Sequence, residues 1–566
     1  MILRKKWSRR RGGKLAAALL ACAAALTLPA AGLPGIASAF GPVGAYAAQY
    51  AETVRVGIYY GRDNVSTVSL RSDTGMTLSA EAGASSILIW DQPDANAVIV
   101  RKDAWFVRTA DGMTQEYSPN AGVPSAGEVT GPIHLAIGGK LADYAAAATY
   151  AASCRAAGVL AWPAYEGGWQ VWTGAYADVN AANAGKQATA DRVGTSAVTV
   201  LNATGSRLVL LNQNMEPICF YGGTDGYLTA KAKNGADLLA VNGKRYRGTM
   251  EFRRYADSDL TLINTLGVEP YLYGVVPSEI GALSPEEAIK AQAIAARTYT
   301  LKNIGRYGKW GFDLADTVES QVYAGYEGEK VQTNLAVDAT RGLKAMYNSQ
   351  LASLFYFSSS GGMTEDNVNV WGTPLPYLKS VEDPYEARNS YNYYWQKVLT
   401  ADDVARYLAA AGINLGTIQS VSIVEMSAAR RVTRLRVTGT AGSTTFAREA
   451  CRTIFELPSQ MYTLGGTETL SVMGADGTVS AMNPGGLAVV SADGVARIPS
   501  GIAAVAVGGD GALSYTGTAT TGLFVLTGLG WGHGVGMSQE GAKGYARNGY
   551  TYDQILQHYF PGITLE

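Results

Sequence analysis

Between residues 53 and 112, apolar and polar positions alternate in short runs: TVRVGIYYG, STVSLRSD, SILIWD, AVIVRKD and AWFVRTADG. Polar and glycine turns separate them. Two-residue periodicity of this kind predicts half-buried strands, so residues 48–128 read as a small β domain. The texture returns from about 197 in AVTVLNATGSRLVLLNQ, PICFYGG, RYRGTMEFRRY and LTLINTL. Between the two β segments the period changes. PIHLAIGGKLADYAAAATYAASCRAAG reads as a strand, a turn and an alanine-rich helix, and GGWQVWTGAYADVNAANAGKQATA repeats that order roughly 35 residues later, a spacing at which repeated units are worth testing.

Further along, Ser284, Pro285 and Glu287 predict a capping box with proline opening a helix. Ile289, Ala293, Ala296 and Thr300 then form one narrow face, with alanines permitting close packing. Residues from about 463 to 520 are rich in Gly, Ala, Ser and Thr and read as an inserted β excursion or a loose surface appendage. The chain ends in YTYDQILQHYFPGITLE, a short helix closed by Pro561-Gly562.

Composition agrees with a globular, strand- and turn-rich chain. Of 566 residues, 47% are hydrophobic and only 16% charged, with 67 glycines, which excludes a disordered polymer and allows several domains. The 33 tyrosines and 10 tryptophans fit a β-rich exported protein, and such flat rings also stack on sugars. MILRKKWSRRRGGK carries seven basic groups and no acid; a long apolar run and two small-x-small sites, Ala37-Ser38-Ala39 and Ala45-Tyr46-Ala47, follow. This is the order of a secretory signal peptide, assigned to residues 1–47, with an uncleaved membrane anchor as the competing reading. Loss of those seven bases takes the formal net charge from −1 to −8, and an acidic chain without a basic block does not bind nucleic acid by phosphate neutralisation. Cys154, Cys219 and Cys451 are far apart and odd in number, so they read as small buried residues and neither a disulfide framework nor a paired-cysteine metal site.

One carboxylate stands out. Glu279 in YGVVPSEIGALSPEEAIKAQAIAART follows Val275, Val276 and Pro277 and precedes Ile280, Ala282 and Leu283. A carboxyl walled by apolar groups keeps its proton to higher pH, which suits a general acid working near neutrality. On spacing alone, an ordinary turn carboxylate near a helix start is the simpler reading.

The segment YLYGVVPSEIGALSPEEAIKAQAIAARTYTLKN resembles the signature of the stage II sporulation protein D family, also called SpoIID/LytB-like. In order, YRGTMEFRRY, DTVESQVYAGYEGE, YFSSSGGMTEDNVNVWGTPLPYLKSVEDP and GLGWGHGVGMSQEGAKGYARNGYTYDQILQHYFPG resemble it too. The likeness spans about 245–382 and 528–562, leaving 1–195 outside. It implies an α+β, multidomain, β-rich chain with a helical catalytic segment in a SpoIID-like domain at 197–566. The strand-turn-helix pair at 129–196 resembles a small βαβ SPOR-like module, a family that binds peptidoglycan glycan strands; a generic βαβ unit fits the same pattern.

The resemblance implies an exported lytic transglycosylase that cleaves the MurNAc–GlcNAc bond of peptidoglycan. Glu279 would act first as acid and then as base, leaving 1,6-anhydroMurNAc ends without a second carboxylate. Ser278, Gln321, Tyr323, Ser359, Ser360, His533, Ser538 and Gln539 are the expected substrate-binding residues. The alternative is a non-catalytic peptidoglycan-binding enhancer or recruiter of a cell-wall amidase, and a third reading is a scaffold for another polysaccharide. Partners are therefore glycan strands and, in the alternative, an amidase; membrane contact is expected only if the leader is retained. Studied relatives carry zinc on histidine and cysteine around the segment matching DTVESQVYAG. Here those places hold Lys309-Trp310, Ala315 and Glu319-Ser320, so neither a structural zinc nor another cofactor is expected. Arg297 reads as a residue pinning a neighbouring carboxylate, and His134 and His558 as structural.

Overall fold

The computed structural model describes residues 50–110, 112, 114–122, 127–224, 226–465 and 523–566, and between 466 and 522 the backbone of short strands. The leader read at 1–47 and nearly all of the glycine-rich stretch 463–520 lie outside the residues whose side chains are described.

Two large sheets organise the N-terminal half. The first runs in the order 314–315, 53–59, 259–267, 249–255, 227–232, 76–82, 85–92. Val56 lies opposite Asn264 in an antiparallel pair and opposite Leu314 in a parallel one. The second sheet has ten strands and places 67–71 and 98–102 beside 208–211 and 239–241. Most strands of the β segment expected to stand apart at 48–128 are thus shared out between two sheets whose other strands come from beyond residue 130. Alternation along a strand reports which face is buried; it carries no information about the strand alongside.

At the other end of the ten-stranded sheet, the strand-turn-helix pair forms a βαββαβ unit. Strands Ile133–Leu141, Ala161–Tyr165, Trp169–Tyr176 and Val198–Leu201 pair antiparallel in the order fourth, first, third, second. Helices α1 (Tyr144–Ala156) and α2 (Val179–Val193) start alike: the carboxylates of Asp143 and Asp178 each accept from the backbone N–H three residues on, at 2.8 Å. A side-chain oxygen satisfying an otherwise orphaned helix donor is worth about 1 kcal/mol, and its repetition 35 residues apart marks an internal repeat. Strand 161–165 also runs parallel to 217–221, so the unit continues into the larger sheet. His134 is buried here, bonded to the Gly174 carbonyl and the Asp103 carboxylate, in the structural role expected.

The helical layer follows. Helix α3 (Val268–Glu279) contains Pro277 and ends on Glu279; where spacing alone suggested a turn before a helix start, the carboxylate sits on the last turn of a helix. Proline so near a C-terminus removes one ladder bond and leaves the rest of the helix whole. Helix α4 (Glu286–Lys302) starts where expected but without the capping box: Pro285 occupies the cap position, and the Ser284 hydroxyl donates back to the Ile280 carbonyl at 2.7 Å. Its burial runs from Ala288 to Thr300 on nearly every face, so it is the enclosed centre of the layer and not a one-faced surface helix. Helices α3, α5 (Val331–Ala339), Gln539–Arg547 and Tyr552–Tyr559 pack around it, the alanines allowing close approach. Thr551 and Gln554 close a capping box on the final helix.

A second hydrophobic core, with Trp395, Val404, Leu435, Phe455 and Leu526, lies between residues 394 and 526. In it, strand Tyr462–Gly465 pairs directly with Leu523–Leu529, so the glycine-rich stretch leaves and returns on adjacent strands. Cys154, Cys219 and Cys451 are buried and unpaired, as their small apolar character led one to expect.

Candidate functional site

Four segments far apart in sequence meet at Glu279. Helix α3 ends on it. The loop after Leu314–Ala315 brings the Val322 backbone N–H to its Oε1 at 3.1 Å. The helix Gln539–Arg547 opens with Gln539, whose amide nitrogen lies 3.4 Å from Oε2 and 3.5 Å from the Gln292 carbonyl oxygen on α4. Burial raises the Glu279 carboxyl above the ordinary glutamate value, and the Val322 N–H and the Gln539 amide oppose that rise. The carboxyl therefore holds a proton more tightly than an exposed glutamate, yet two donors await the anion once the proton leaves.

Beneath this group lies a polar lock. The buried Gln321 amide oxygen accepts from the Tyr271 hydroxyl at 3.2 Å and the Thr300 hydroxyl at 2.9 Å. Its nitrogen donates to the Ala296 carbonyl at 3.2 Å and the Tyr356 hydroxyl at 2.9 Å. Tyr323 is buried, with its hydroxyl on Asn264 at 2.9 Å. Both residues were expected in a cleft. They are instead core polar groups with every hydrogen bond committed, a distinction that residue type alone does not reveal. Their function here is to fix the loop that delivers Val322.

The remaining expected residues separate into two groups. Ser538 and Gln539 reach the site: Ser538 is buried, caps its helix on the Gly541 N–H at 3.0 Å, and holds Gln539 in place. Strand Tyr356–Phe357 lies parallel to 537–538 and completes this wall. Ser278 adjoins Glu279, with its hydroxyl donated to the Gly274 carbonyl of its own helix at 3.1 Å. Ser359 and Ser360 are corrections, since both are buried and neither faces open surface. Ser359 pairs its main chain with Trp531, and Ser360 bonds Asp383 and Glu386. His533 accepts the Val535 N–H on Nδ1 at 3.1 Å and sits among Phe355, Phe357 and Trp371, with ring centroids 6.4, 5.3 and 5.0 Å away. Burial pushes its imidazole down to about 4, so it is a neutral ring near neutral pH and not a cation.

Sequence reading missed several contributors. Gln292 and Val322 act through an interior amide and a backbone N–H, which carry no recognisable motif. An aromatic path, Tyr299 to Phe355 to Trp371, has centroid spacings of 6.5 and 4.7 Å. Tyr299 lies within electrostatic reach of Glu279. Trp371, at the far end, is 37% exposed, with its indole N–H on Glu449 at 2.9 Å.

The loop 313–323 is held without soft metal donors. Arg55 N–H donates to the Asp313 carboxylate and Ala315 N–H to the Ser320 hydroxyl, while Tyr60, Tyr307, Trp310 and Phe312 stack alongside with spacings of 4.8–6.3 Å. Ser320 is engaged with backbone, and the Glu319 carboxylate meets the Tyr307 hydroxyl at 3.4 Å. These residues do not fit a zinc site of histidine and cysteine.

Residues 256–347 match the family model SpoIID, described as Stage II sporulation protein, and residues 375–474 match a domain of unknown function, DUF8618. The latter contains most of the second core. An amidase enhancer of Bacillus subtilis is 30% identical over 376 residues, covering 62% of this chain and 48% of that protein, so the chain spans about half that relative's length. The stage II sporulation protein D of Bacillus subtilis is 28% identical over 318 residues, covering 54% and 75%. An uncharacterised protein of Brachyspira hyodysenteriae is 27% identical over 332 residues, covering 58% and 74%. The matched family segment begins just before α3 and ends just after α5, so the stretch that supplies Glu279, Gln292 and Val322 is the part of the chain that matches the SpoIID family.

Proposed function

We propose that this exported protein has a cell-wall role as a peptidoglycan lytic transglycosylase, cutting the MurNAc–GlcNAc bond with Glu279 as its single acid–base residue. The observation that carries this reading is the paired environment of Glu279: burial raises its affinity for a proton, while the Val322 N–H and the Gln539 amide stand ready to donate to the anion. In the first step Glu279 gives its proton to the glycosidic oxygen as the bond to the muramyl anomeric carbon breaks. In the second, the C6 hydroxyl oxygen of the same sugar bonds to that carbon and its proton passes to the Glu279 carboxylate. The ring closes as a 1,6-anhydro end, the glutamic acid is restored and no water is consumed. One carboxyl suffices because acid and base act in sequence.

The βαββαβ unit supports a SPOR-like role in holding glycan, raising its local concentration at the site. No described helix is long and apolar enough to cross a membrane. Digestion of purified peptidoglycan with the mature chain alone, followed by mass spectrometry, tests the proposal. Wild type releases anhydromuramyl products; Glu279→Gln binds the wall and releases none. The amidase enhancer among the relatives favours a second reading, a non-catalytic recruiter, which predicts bound but intact glycan from the wild type in the same experiment.

A further inference from the structure

Behind the Gln539 wall lies a pair of carboxylates, Asp383 and Glu386, both buried and both facing one hydroxyl. The Ser360 Oγ is 2.9 Å from Asp383 Oδ2 and 2.6 Å from Glu386 Oε2, and it accepts from the Gly362 N–H at 3.0 Å. A serine hydroxyl has one proton to give and two lone pairs to fill. The Gly362 N–H takes one lone pair. Two carboxylate oxygens then face a single proton, and a second proton must sit between Ser360 and one of the acids.

The main chain decides which acid carries it. Glu386 receives the Ser360 N–H on Oε1 at 3.1 Å, and the Gly361 and Gly362 N–H groups on Oε2 at 2.8 and 3.1 Å. Three converging donors make a nest for an anion, and on Oε2, the oxygen that faces Ser360, two of them fill both lone pairs and leave none for an added proton. Asp383 has no backbone donor of this kind on its carboxyl. Two carboxylates in one dry site share a proton because both cannot ionise.

We infer that Asp383 is held as the neutral acid, donating from Oδ2 to Ser360, and that this proton makes it a positioning residue for the Gln539 end of the helix beside Glu279. The link is steric. Asp383 and the Tyr559 hydroxyl press against Gly541, where a Cβ would find no room, and Gly541 N–H is capped by Ser538, next to Gln539. The Asp383 N–H also donates to the Gly362 carbonyl at 3.0 Å and Glu540 N–H to the Ser358 carbonyl at 3.0 Å, so the serine-glycine loop, Asp383 and the helix start move as one body. Ionising Asp383 puts a second charge beside Glu386 and loosens that body.

Other groups face this cluster from each neighbouring element. Tyr545 comes from the helix Gln539–Arg547, Tyr559 and His558 from the last helix, and Tyr393 from the following loop. Arg431 lies beyond Ser360, donating to its carbonyl at 2.7 Å. Burial and the Glu386 charge push Asp383 up to about 7, against the pull of the Ser360, Tyr559 and Ser538 hydroxyls. The sign follows. An acid whose folded value lies above its unfolded one gives stability that is full below about pH 4 and is lost as pH rises through about 7.

The part of this inference that concerns Glu279 rests on the proposed cutting reaction; the protonation does not. Thermal midpoints of wild type, Asp383→Asn, Ser360→Ala and Glu386→Gln are measured between about pH 5 and pH 8.5. Asp383→Asn, a permanently neutral mimic, gains on wild type as pH rises, at least halving the wild-type decline. Ser360→Ala weakens the pH dependence, and Glu386→Gln is destabilised throughout because an amide nitrogen meets backbone donors. If Glu386→Gln is the variant that flattens the curve, or if Asp383→Asn fails to fold while Glu386→Gln folds, the assignment is overturned. In glycan cutting, Asp383→Asn extends activity to higher pH; an unchanged profile in an active enzyme overturns the positioning role. A wild type that cuts nothing sinks the transglycosylase reading instead, and the stability curves still decide where the proton sits.

Discussion

The backbone N–H of Val322 and the carboxylate of Glu279 are joined at 3.1 Å across 43 residues of chain. Only proline removes a main-chain donor, and every other substitution leaves it in place, so the loop's geometry is the variable part of the site. Relaxing it withdraws the N–H and leaves the Glu279 carboxyl with burial less opposed. Ser320→Ala, which removes the acceptor of the Ala315 N–H, is expected to slow anhydromuramyl release while Glu279 itself is intact; product yield per unit time reads the effect.

The raised Glu279 value has two consequences with defined signs. Acid catalysis requires the protonated form, so cutting is expected to decline as pH rises through that raised value. A carboxyl harder to ionise in the folded state also subtracts stability at neutral pH. Glu279→Gln is therefore expected to melt above wild type at neutral pH and level with it in acid, as a pH series of thermal midpoints would reveal.

Because Asp313, Ser320 and the Tyr60–Tyr307–Trp310–Phe312 stack hold the loop, a strong chelator is expected to leave both the thermal midpoint and glycan cutting unchanged. A loss of cutting that added zinc restores would contradict that account of the loop.

Arg297 clamps Glu269 through two bonds of 2.8 and 2.7 Å and reaches the Leu343 and Val337 carbonyls at 3.0 and 3.2 Å, with 1% of its side chain exposed. Its partner is the carboxylate at the start of α3, the helix that ends on Glu279. Arg297→Ala leaves that charge unpaired in the interior and is expected to destabilise the fold by about 3–5 kcal/mol, measured by denaturant unfolding.

Trp371 closes the aromatic path from Glu279. Trp371→Ala in the Glu279→Gln background is expected to weaken retention on purified glycan by about fivefold, roughly 1 kcal/mol of lost ring contact. Trp371→Phe is expected to keep most of it, and a sedimentation assay separates the two.

Local chemistry was legible where the physics is local. The 35-residue spacing of Asp143 and Asp178 announced two like helix starts, and Pro561-Gly562 marked the end of the last helix. Apolar residues on both sides of Glu279 announced its desolvation, although Pro277 disguised the helix that carries it. Gln321 and Tyr323 were misplaced because a polar side chain looks the same in sequence whether it greets a ligand or satisfies a buried neighbour. The pairing of Val56 with Asn264 was invisible for a different reason, since strands some two hundred residues apart share a register that neither encodes alone.

Because Tyr462–Gly465 and Leu523–Leu529 lie side by side, the two ends of the glycine-rich excursion are anchored at one spot on the second core. Closing a longer or shorter chain between fixed neighbouring ends changes the free energy only logarithmically with length. The fold thus has a port through which evolution or an engineer can exchange a whole appendage without disturbing the helix layer, a place where new surface chemistry can be trialled while the acid stays where it is.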